Sequence, residues 1–176
     1  QGWCSLSLHA GATVGEIERV IADPDRVLVV EASSRFPRTV GYGSYMHRIH
    51  VDQIDVLIES EREPFVLNDA EASDADRAIA EHVASFVVEG STLQTGIGGI
   101  PSRVAKVLAE GDLGGFGVHS EMFTTGLMHL HQSGKVTNAK GVFDGVSVTT
   151  FAAGTRELYD WLDGNEEVVF LPVATV

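Results

Sequence analysis

The sequence predicts an α/β fold with an open, mainly parallel sheet and helices on both faces. Short apolar runs typical of buried strands recur along the chain, and a glycine turn joins one of them to the helix that follows. From residue 73 onward, strand and helix patterns alternate at intervals of roughly 20–30 residues. Such alternation is typical of parallel strands joined by right-handed crossovers.

The first part of the chain is predicted to hold short strands and one helix. The strands are expected over residues 2–8, 26–30 and 55–61, and the helix over about 13–22. Thr13 and Glu16 have the spacing of a capping box at the start of this helix. The run Val-Leu-Val-Val at 27–30 is typical of a buried strand. The loop after it carries Arg35 and Arg38, each either an exposed arginine or a ligand for a carboxylate or phosphate.

The second part gives a clearer βα pattern. Ser73 opens a helix whose apolar residues recur on one face, namely Ala75, Ile79, Val83 and Phe86. The further strands are expected over residues 91–95, 116–119, 146–153 and 167–171. Helices are expected from Pro101 and over residues 124–132 and 156–162. Pro101 suits the first turn of its helix, where a missing N–H is tolerated.

Composition excludes some classes of function. The chain has 176 residues, 44% of them hydrophobic, and a formal net charge of −13. Nucleic acids and anionic membranes attract basic surfaces, so neither is expected as the main partner. The single cysteine, Cys4, excludes an intrachain disulfide, which fits a cytoplasmic location. The chain begins at Gln1 and ends in an apolar run, and we interpret it as a piece of a longer polypeptide.

Two features of residues 95–125 have competing interpretations. The glycine turn consists of Gly96, Ile97, Gly98, Gly99, Ile100 and Pro101. It matches no standard nucleotide-binding pattern and is either a tight βα connection or a wall of a ligand site with amides for a negative centre. Glu121 is expected where the strand at 116–119 ends. It is either a covalent nucleophile or a solvated residue before the next helix, and spacing alone favours the second.

The remaining chemical motifs are weak. His119 lies two residues before Glu121 and either orients that carboxylate or is a structural histidine, which is the commoner case. His129 and His131 do not share a helix face, and no group of residues has metal-ligand spacing. No serine lies in a G-x-S-x-G turn, so a serine hydrolase is unsupported.

Several blocks, in order, resemble one known family. They are PRTVG at 37–41, AIAEHVASFVVEGSTLQTGIGGIP at 78–101, GVHSEMFTTGLMHL at 117–130, GKVTNAKG at 134–141 and FAAGTRELYDWLDGNEEVVFLPV at 151–173. Together they resemble the acetyl-CoA hydrolase/CoA-transferase family, which includes 4-hydroxybutyrate CoA-transferases. The glycine turn followed by HSEMF at this spacing is the specific part of the resemblance.

The resemblance implies a ping-pong CoA-transferase. It would move CoA between a short-chain acyl-CoA, such as acetyl-CoA, and a carboxylate acceptor. The catalytic glutamate falls on Glu121 and forms a glutamyl-CoA thioester. The loop from Gly96 to Pro101 lines the site, and Arg38 matches an arginine that can bind an acyl carboxylate. CoA is a substrate, and no metal or other cofactor is expected.

The resemblance also implies an architecture. The fold would be of the CoA-transferase (NagB/RpiA-like) type, with two related halves and an active site between them. Residues 1–70 would end the amino-terminal half, and residues 71–176 would begin the carboxy-terminal half with the catalytic glutamate. We expect a cytoplasmic homodimer of the full-length enzyme, with acyl-CoA and short carboxylates as partners.

The chain departs from the family pattern at two places. Val40-Gly41-Tyr42-Gly43 stands where relatives often have T-H-G and a polar residue. The downstream glycine-rich segment and most of the amino-terminal half are absent, so we expect little or no activity from the isolated chain. Two other functions stay open: acetyl-CoA hydrolysis with water as acceptor, and a non-catalytic binding or regulatory domain that keeps the fold.

Overall fold

The computed structural model describes residues 2–68 and 72–176. The strands are β1 (Trp3–Ser5), β2 (Val29–Ser33), β3 (Arg48–His50), β4 (Val56–Ser60), β5 (Thr92–Leu93), β6 (Gly117–Val118), β7 (Met122–Phe123), β8 (Ser147–Thr149), β9 (Phe151–Ala152) and β10 (Val168–Phe170). The helices are α1 (Val14–Ala22), α2 (Asp74–Ala84), α3 (Gly99–Glu110), α4 (Thr125–Gln132) and α5 (Arg156–Leu162), with a short 3₁₀ turn at Val51–Gln53.

Parallel pairs of strands form the centre of the molecule. β5 pairs with β6 and β8 pairs with β10, both in parallel. A parallel bridge between His119 and Val148 joins the two pairs, so β5, β6, β8 and β10 lie side by side in that order. β7 and β9 pair in the same register one step further along the chain. The mixed α/β class with parallel strands is therefore confirmed.

The apolar core packs around these strands. Its largest fully buried side chains come from the strands β6 to β10 and from α4 and α5. They include Phe116, Val118, Phe123, Leu127, Met128, Leu130, Val148, Leu158 and Phe170. α3 lies between α2 and α4, and α4 also contacts α5. The strand ends that carry the candidate site therefore rest on closely packed layers.

The helices of the second part lie where they were predicted, but the apolar face predicted for α2 is not buried. Ser73 caps α2, and Asp76 returns the bond to the Ser73 N–H, as in a capping box. The apolar stripe of this helix is exposed, with Phe86 at its end 74% exposed. The fully buried residue of α2 is Ala80, about 100° around the helix from Ile79. The prediction that the apolar stripe marks the buried face of α2 was therefore wrong for the described residues.

The first part of the chain differs most from its prediction. β1 and β3 pair antiparallel, whereas β2 and β4 form a separate parallel pair. The strand expected at 26–30 starts only at Val29, and it is not buried, because no described segment covers it. The capping box at Thr13 is also wrong: Thr13 is already helical in backbone conformation, and its side chain caps nothing.

Two further points concern membrane-spanning helices and the boundary between the two halves. Among these residues, no helix is both long enough and apolar enough to cross a bilayer. The proposed boundary between the halves, at residues 70 and 71, lies outside the described residues.

Candidate active site

Glu121 lies in a bend between two short strands, β6 and β7. β6 stops at Val118, the chain bends at Glu121, and extended structure resumes at Met122 as β7. The strand therefore ends before Glu121, as predicted, but a second short strand follows the bend before the next helix begins. The side chain of Glu121 is exposed, and no hydrogen bond or ion pair from the described residues engages its carboxylate.

The bend at Glu121 is held through its backbone carbonyl. That oxygen accepts hydrogen bonds from the backbone N–H of Thr150 at 3.0 Å and of Phe151 at 3.3 Å. The hydroxyls of Thr149 and Thr150 also lie 3.1 and 2.9 Å from it. Both threonines are buried, at 0% and 2% exposure. The main chain of Glu121 is thus fixed, while its carboxylate faces outward.

The glycine turn connects β5 to α3. Gly98 precedes the first residue of α3 and has φ of +123°, a conformation that side chains with a Cβ rarely adopt. Pro101 lies in the first turn of the helix, as expected. Ile97 at the tip of the turn is 57% exposed. The turn therefore presents glycine backbone together with the exposed Ile97 side chain at the start of a helix.

Hydrogen bonds join this turn to the bend at Glu121. The Ser120 hydroxyl lies 3.3 Å from both the N–H and the carbonyl oxygen of Thr95. Thr95 immediately precedes Gly96, and Ser120 immediately precedes Glu121. The hydroxyl of Thr95 also lies 3.5 Å from that of Thr124, at the start of α4. The structure thus brings together the two features that the sequence singled out.

A cavity of about 220 Å³ opens beside the turn. Its walls are the glycine turn, the start of α4 and the loop after β9. The lining residues are Leu67, Asn68, Ile97, Gly98, Gly99, Ser102, Thr124, Thr125, Ala153 and Gly154. This volume is smaller than that of most pockets for drug-sized ligands, so a small group with apolar and hydroxyl neighbours suits it.

The chain is similar in sequence to part of several known CoA-transferases. The chain is 33% identical over 167 residues to a butyryl-CoA:acetate CoA-transferase of Anaerostipes caccae, covering 93% of this chain and 36% of the relative. It is 34% identical over 168 residues to a 4-hydroxybutyrate coenzyme A transferase of Clostridium kluyveri, covering 95% and 37%. No protein-family profile matches.

A solved structure agrees with these relatives. The crystal structure of a 4-hydroxybutyrate CoA-transferase from Porphyromonas gingivalis superposes with a TM-score of 0.84 at 31% identity, over 98% of this chain and 41% of that one. The chain is homologous to part of these CoA-transferases. It spans little more than a third of the length of the curated relatives that it matches.

Arg38 of this CoA-transferase homologue lies away from the glycine turn. Its backbone N–H donates to an Asp163 carboxylate oxygen at 2.8 Å, and its guanidinium lies 3.3 Å from the same carboxylate. Asp163 raises the pKa of Arg38, and the bonds from Arg38 lower the pKa of Asp163. Arg38 lines a separate crevice with β1, the ends of β2 and β4, and α5. Its predicted role in substrate binding stays a prediction.

His119 makes no hydrogen bond to Glu121 among the described contacts. Its backbone N–H donates to Leu93, and its ring lies 6.1 Å from that of Phe143. The bend at Glu121 also breaks the regular alternation on which a shared direction depended. In residues 2–68 and 72–176, no group of three or more His, Cys, Asp or Glu side chains is placed to hold a metal ion.

Sequence reasoning missed the polar residues that shape the bend in this CoA-transferase homologue. Thr149 and Thr150 stand in a run of strong β-formers, so the pattern explained them as strand residues. Ser120 falls between the candidate glutamate and a histidine and had no pattern of its own. The one available signal was the paired hydroxyls in an otherwise apolar strand, since buried polar groups need partners.

Proposed function

We propose that this chain is the segment of a CoA-transferase that carries its nucleophile, Glu121. One observation carries the proposal: an exposed carboxylate, with no hydrogen-bond or ion-pair partner among the described residues, stands on an anchored bend that Ser120 and Thr95 tie to a glycine turn beside a cavity. A nucleophile needs a free lone pair and a fixed main chain, and Glu121 has both. The homology to CoA-transferases supports the same role.

The reaction begins with attack on an acyl-CoA. A Glu121 carboxylate oxygen adds to the thioester carbonyl carbon, the C–S bond breaks, and CoA leaves as a thiolate with the bonding electron pair. The product on the protein is an acyl-glutamyl anhydride. The thiolate then attacks the glutamyl carbonyl carbon and expels the acyl group as a free carboxylate. Glu121 is left as a glutamyl-CoA thioester.

The second half-reaction runs these steps in reverse with a new carboxylate. The acceptor attacks the glutamyl carbonyl, CoA thiolate leaves, and the thiolate then attacks the acceptor's acyl carbon. This step releases the new acyl-CoA and regenerates the Glu121 carboxylate. One thioester is consumed and one is formed, so the overall reaction needs no nucleotide or metal to supply free energy. Each step passes through an oxyanion, which benefits from fixed N–H donors such as those at a helix start.

The small cavity suits a short acyl group. Glu121 does not line it, and Thr124 in its wall is linked through Thr95 to Ser120, the neighbour of Glu121. Its walls combine the apolar side chains Leu67 and Ile97 with the hydroxyls of Thr124 and Thr125. A short alkyl chain would be shielded there from water, which otherwise hydrolyses the anhydride and thioester intermediates. The names of the relatives, butyryl-CoA:acetate and 4-hydroxybutyrate transferases, agree with short acyl groups.

The wider architecture is part of the same proposal. We place this chain across two halves of an open, mainly parallel α/β enzyme of the NagB/RpiA-like type, with helices on both faces of the sheet and a boundary near residues 70–71. The full-length enzyme would be a cytoplasmic homodimer acting on acyl-CoA and short carboxylates, without a metal or a cofactor beyond CoA as substrate. Because CoA contacts are expected from the remaining polypeptide, the isolated chain should turn over little or no acetyl-CoA.

The decisive variant is Glu121→Gln in the full-length protein, supplied with acetyl-CoA and butyrate. Loss of the nucleophile should lower CoA exchange by about 10⁴-fold or more. Glu166→Gln is the matched control, because Glu166 lies exposed in the turn before β10. Exchange that survives Glu121→Gln would overturn the assignment and favour a non-catalytic role for this residue. Release of free CoA at the same rate without butyrate would identify a hydrolase instead.

A further inference from the structure

A gap in the sheet lies three residues before Glu121. On one side of β6, the N–H of Phe116 donates to Lys135 and that of Ser120 donates to Val148. Between them, the neighbouring chain departs from the sheet after residue 136 and returns only with β8. Val118 is fully buried and faces this side. Its carbonyl belongs to the parallel bridge between His119 and Val148, whereas its N–H has no backbone acceptor among the described residues. An unpaired buried N–H would be costly, so a side chain must satisfy it.

Asn138 and Lys140 fill this gap from the departing loop. The Asn138 side-chain oxygen accepts the hydrogen bond from the Val118 N–H at 2.9 Å. The Lys140 ammonium donates to the Val118 carbonyl at 3.1 Å and to the Val146 carbonyl at 2.5 Å. Asn138 thus supplies the acceptor that a neighbouring strand would otherwise provide, and Lys140 links β6 to the residue just before β8.

Asn138 is suited to this position by its backbone as well as its amide. Its φ is +53°, a region in which asparagine is enriched among residues other than glycine, and it is only 3% exposed. Its amide nitrogen lies 3.1 Å from the Ser147 hydroxyl, and that hydroxyl lies 2.7 Å from Nε2 of His131. Burial and the charge of Lys140 lower the pKa of His131 to about 4, so the neutral ring can accept from Ser147 at pH 7.

Lys140 packs against Gly117 of β6, a residue without a side chain. A Cβ on Gly117 would overlap the Lys140 side chain, so the lysine stem lies directly over that glycine. Burial lowers the pKa of Lys140, with the nearby Asp144 acting in the opposite direction. An ammonium with two carbonyl acceptors in a partly buried position is a strong tether, because hydrogen bonds from charged donors exceed neutral ones.

We propose that Asn138 and Lys140 are positioning residues, which hold β6 in the register that sets the bend at Glu121. Among the described residues, no hydrogen bond or ion pair joins either side chain to Glu121, so each acts on Glu121 only through β6. The inference rests on the proposed function of Glu121. It implies that loosening Val118 displaces the attacking carboxylate without removing any contact to the acyl group.

The test uses Asn138→Gly and Lys140→Met in the full-length protein, assayed for CoA exchange. Glycine keeps the positive φ while removing the amide, and methionine keeps the stem while removing the ammonium. A nucleophile displaced by about 1 Å costs up to ~100-fold in rate, so we expect kcat to fall by about 10- to 100-fold with KM within about threefold. Asn138→Asp, which keeps an acceptor for Val118, should recover part of the loss.

Thr137→Val is the matched control. It removes an exposed hydroxyl of the same loop, whose 3.0 Å bond reaches Gly115 rather than Val118, and it should leave kcat unchanged. Equal kcat values for wild type and a folded Asn138→Gly or Lys140→Met would overturn the inference, as would a loss confined to KM. If neither variant folds, Ser147→Ala decides: a several-fold fall in kcat supports the network, and none overturns it.

The two proposals fail in distinguishable ways. If Glu121→Gln remains active, the function assigned to Glu121 fails whatever the network does. If Glu121→Gln is inactive while Asn138→Gly and Lys140→Met keep wild-type kcat, only the positioning role fails. Thermal unfolding of each variant separates a lower kcat from a smaller folded fraction.

Discussion

The strands that carry Glu121 and the strands β2 and β4 contrast in burial. Val118 and Phe123, on either side of Glu121, are 0% exposed, as is Val148 opposite. Val29 and Ile58 of the parallel pair β2–β4 are 54% and 49% exposed. Parallel sheets are normally covered on both faces, and two strands alone are marginal. The candidate site is thus locally supported by the described residues, whereas β2–β4 needs a cover that they do not provide.

This contrast fits a chain that matches little more than a third of longer relatives. We expect further polypeptide to pack on β2–β4, where the consecutive residues Val56, Leu57 and Ile58 are all exposed. The stripe on α2 that ends in Phe86 is a second surface of this kind. The nucleophile and its scaffold would then come from one region, and substrate-binding contacts partly from outside it.

Hydrogen exchange of the 176-residue chain gives the largest expected difference between the two regions. Amides of β6 and β8 open only with the core, whereas those of β2 and β4 open locally. We expect protection factors about 10³-fold higher in the first group, as for a difference of ~4 kcal/mol in opening free energy. Equal protection would show that β2–β4 is already covered, for example by a second copy of the chain.

Truncating one apolar side chain in each region sharpens the same contrast. Phe123 is fully buried and stacks on Trp161 at 5.9 Å, so Phe123→Ala should lower the free energy of unfolding by about 3–5 kcal/mol. Leu57 is 45% exposed, and Leu57→Ala should change it by about 0.5 kcal/mol or less. Urea unfolding measures both, and similar losses would contradict the contrast.

Acid should weaken the Glu121 region through His131. The folded pKa is about 4 because the ring is buried, while the unfolded value is near 6.5. Below pH 6.5 the unfolded chain binds a proton that the native ring does not, so stability falls as pH drops from 6.5 to 4, by about 3 kcal/mol from this group. His131→Gln removes this contribution. Parallel stability curves for wild type and His131→Gln across that range would refute it.

Thr150→Val is the most conservative of these substitutions. It removes one of the donors at 2.9 Å from the Glu121 carbonyl while keeping the shape of the side chain. The backbone N–H of Thr150 still holds that oxygen, so we expect about 1 kcal/mol lower stability. Chemical unfolding beside Thr137→Val measures it. A loss no greater than that of Thr137→Val would mean that the hydroxyl does not stabilise the bend.

Local patterns predicted much of the fold. α5 begins and ends as expected, and α2 begins directly after Ser73, the residue that was predicted to open it. The alternation of apolar runs with helical patterns was sufficient because it follows from the backbone alone. Burial of β2 was not predictable, since an apolar run indicates that a strand needs cover but not whether the cover is present.

The site was predictable only in part. The glycine turn and Glu121 were found, and Ser120 and Thr95 do bring them together. The bend at Glu121 depends on contacts across the sheet from Thr149 and Thr150, and the filling of the gap at Val118 depends on Asn138 and Lys140. Such long-range polar contacts leave no periodic signal along the sequence, because they arise from how strands are placed side by side.

The covalent role of Glu121 is tested most directly by trapping the intermediate. The full-length protein is incubated with acetyl-CoA, treated with borohydride to reduce the thioester, digested and analysed by mass spectrometry. The account predicts one modified site, on the peptide carrying Glu121, and no such modification in Glu121→Gln. A modification that maps to another residue, or no adduct on Glu121 in protein that exchanges CoA under the same conditions, would contradict it.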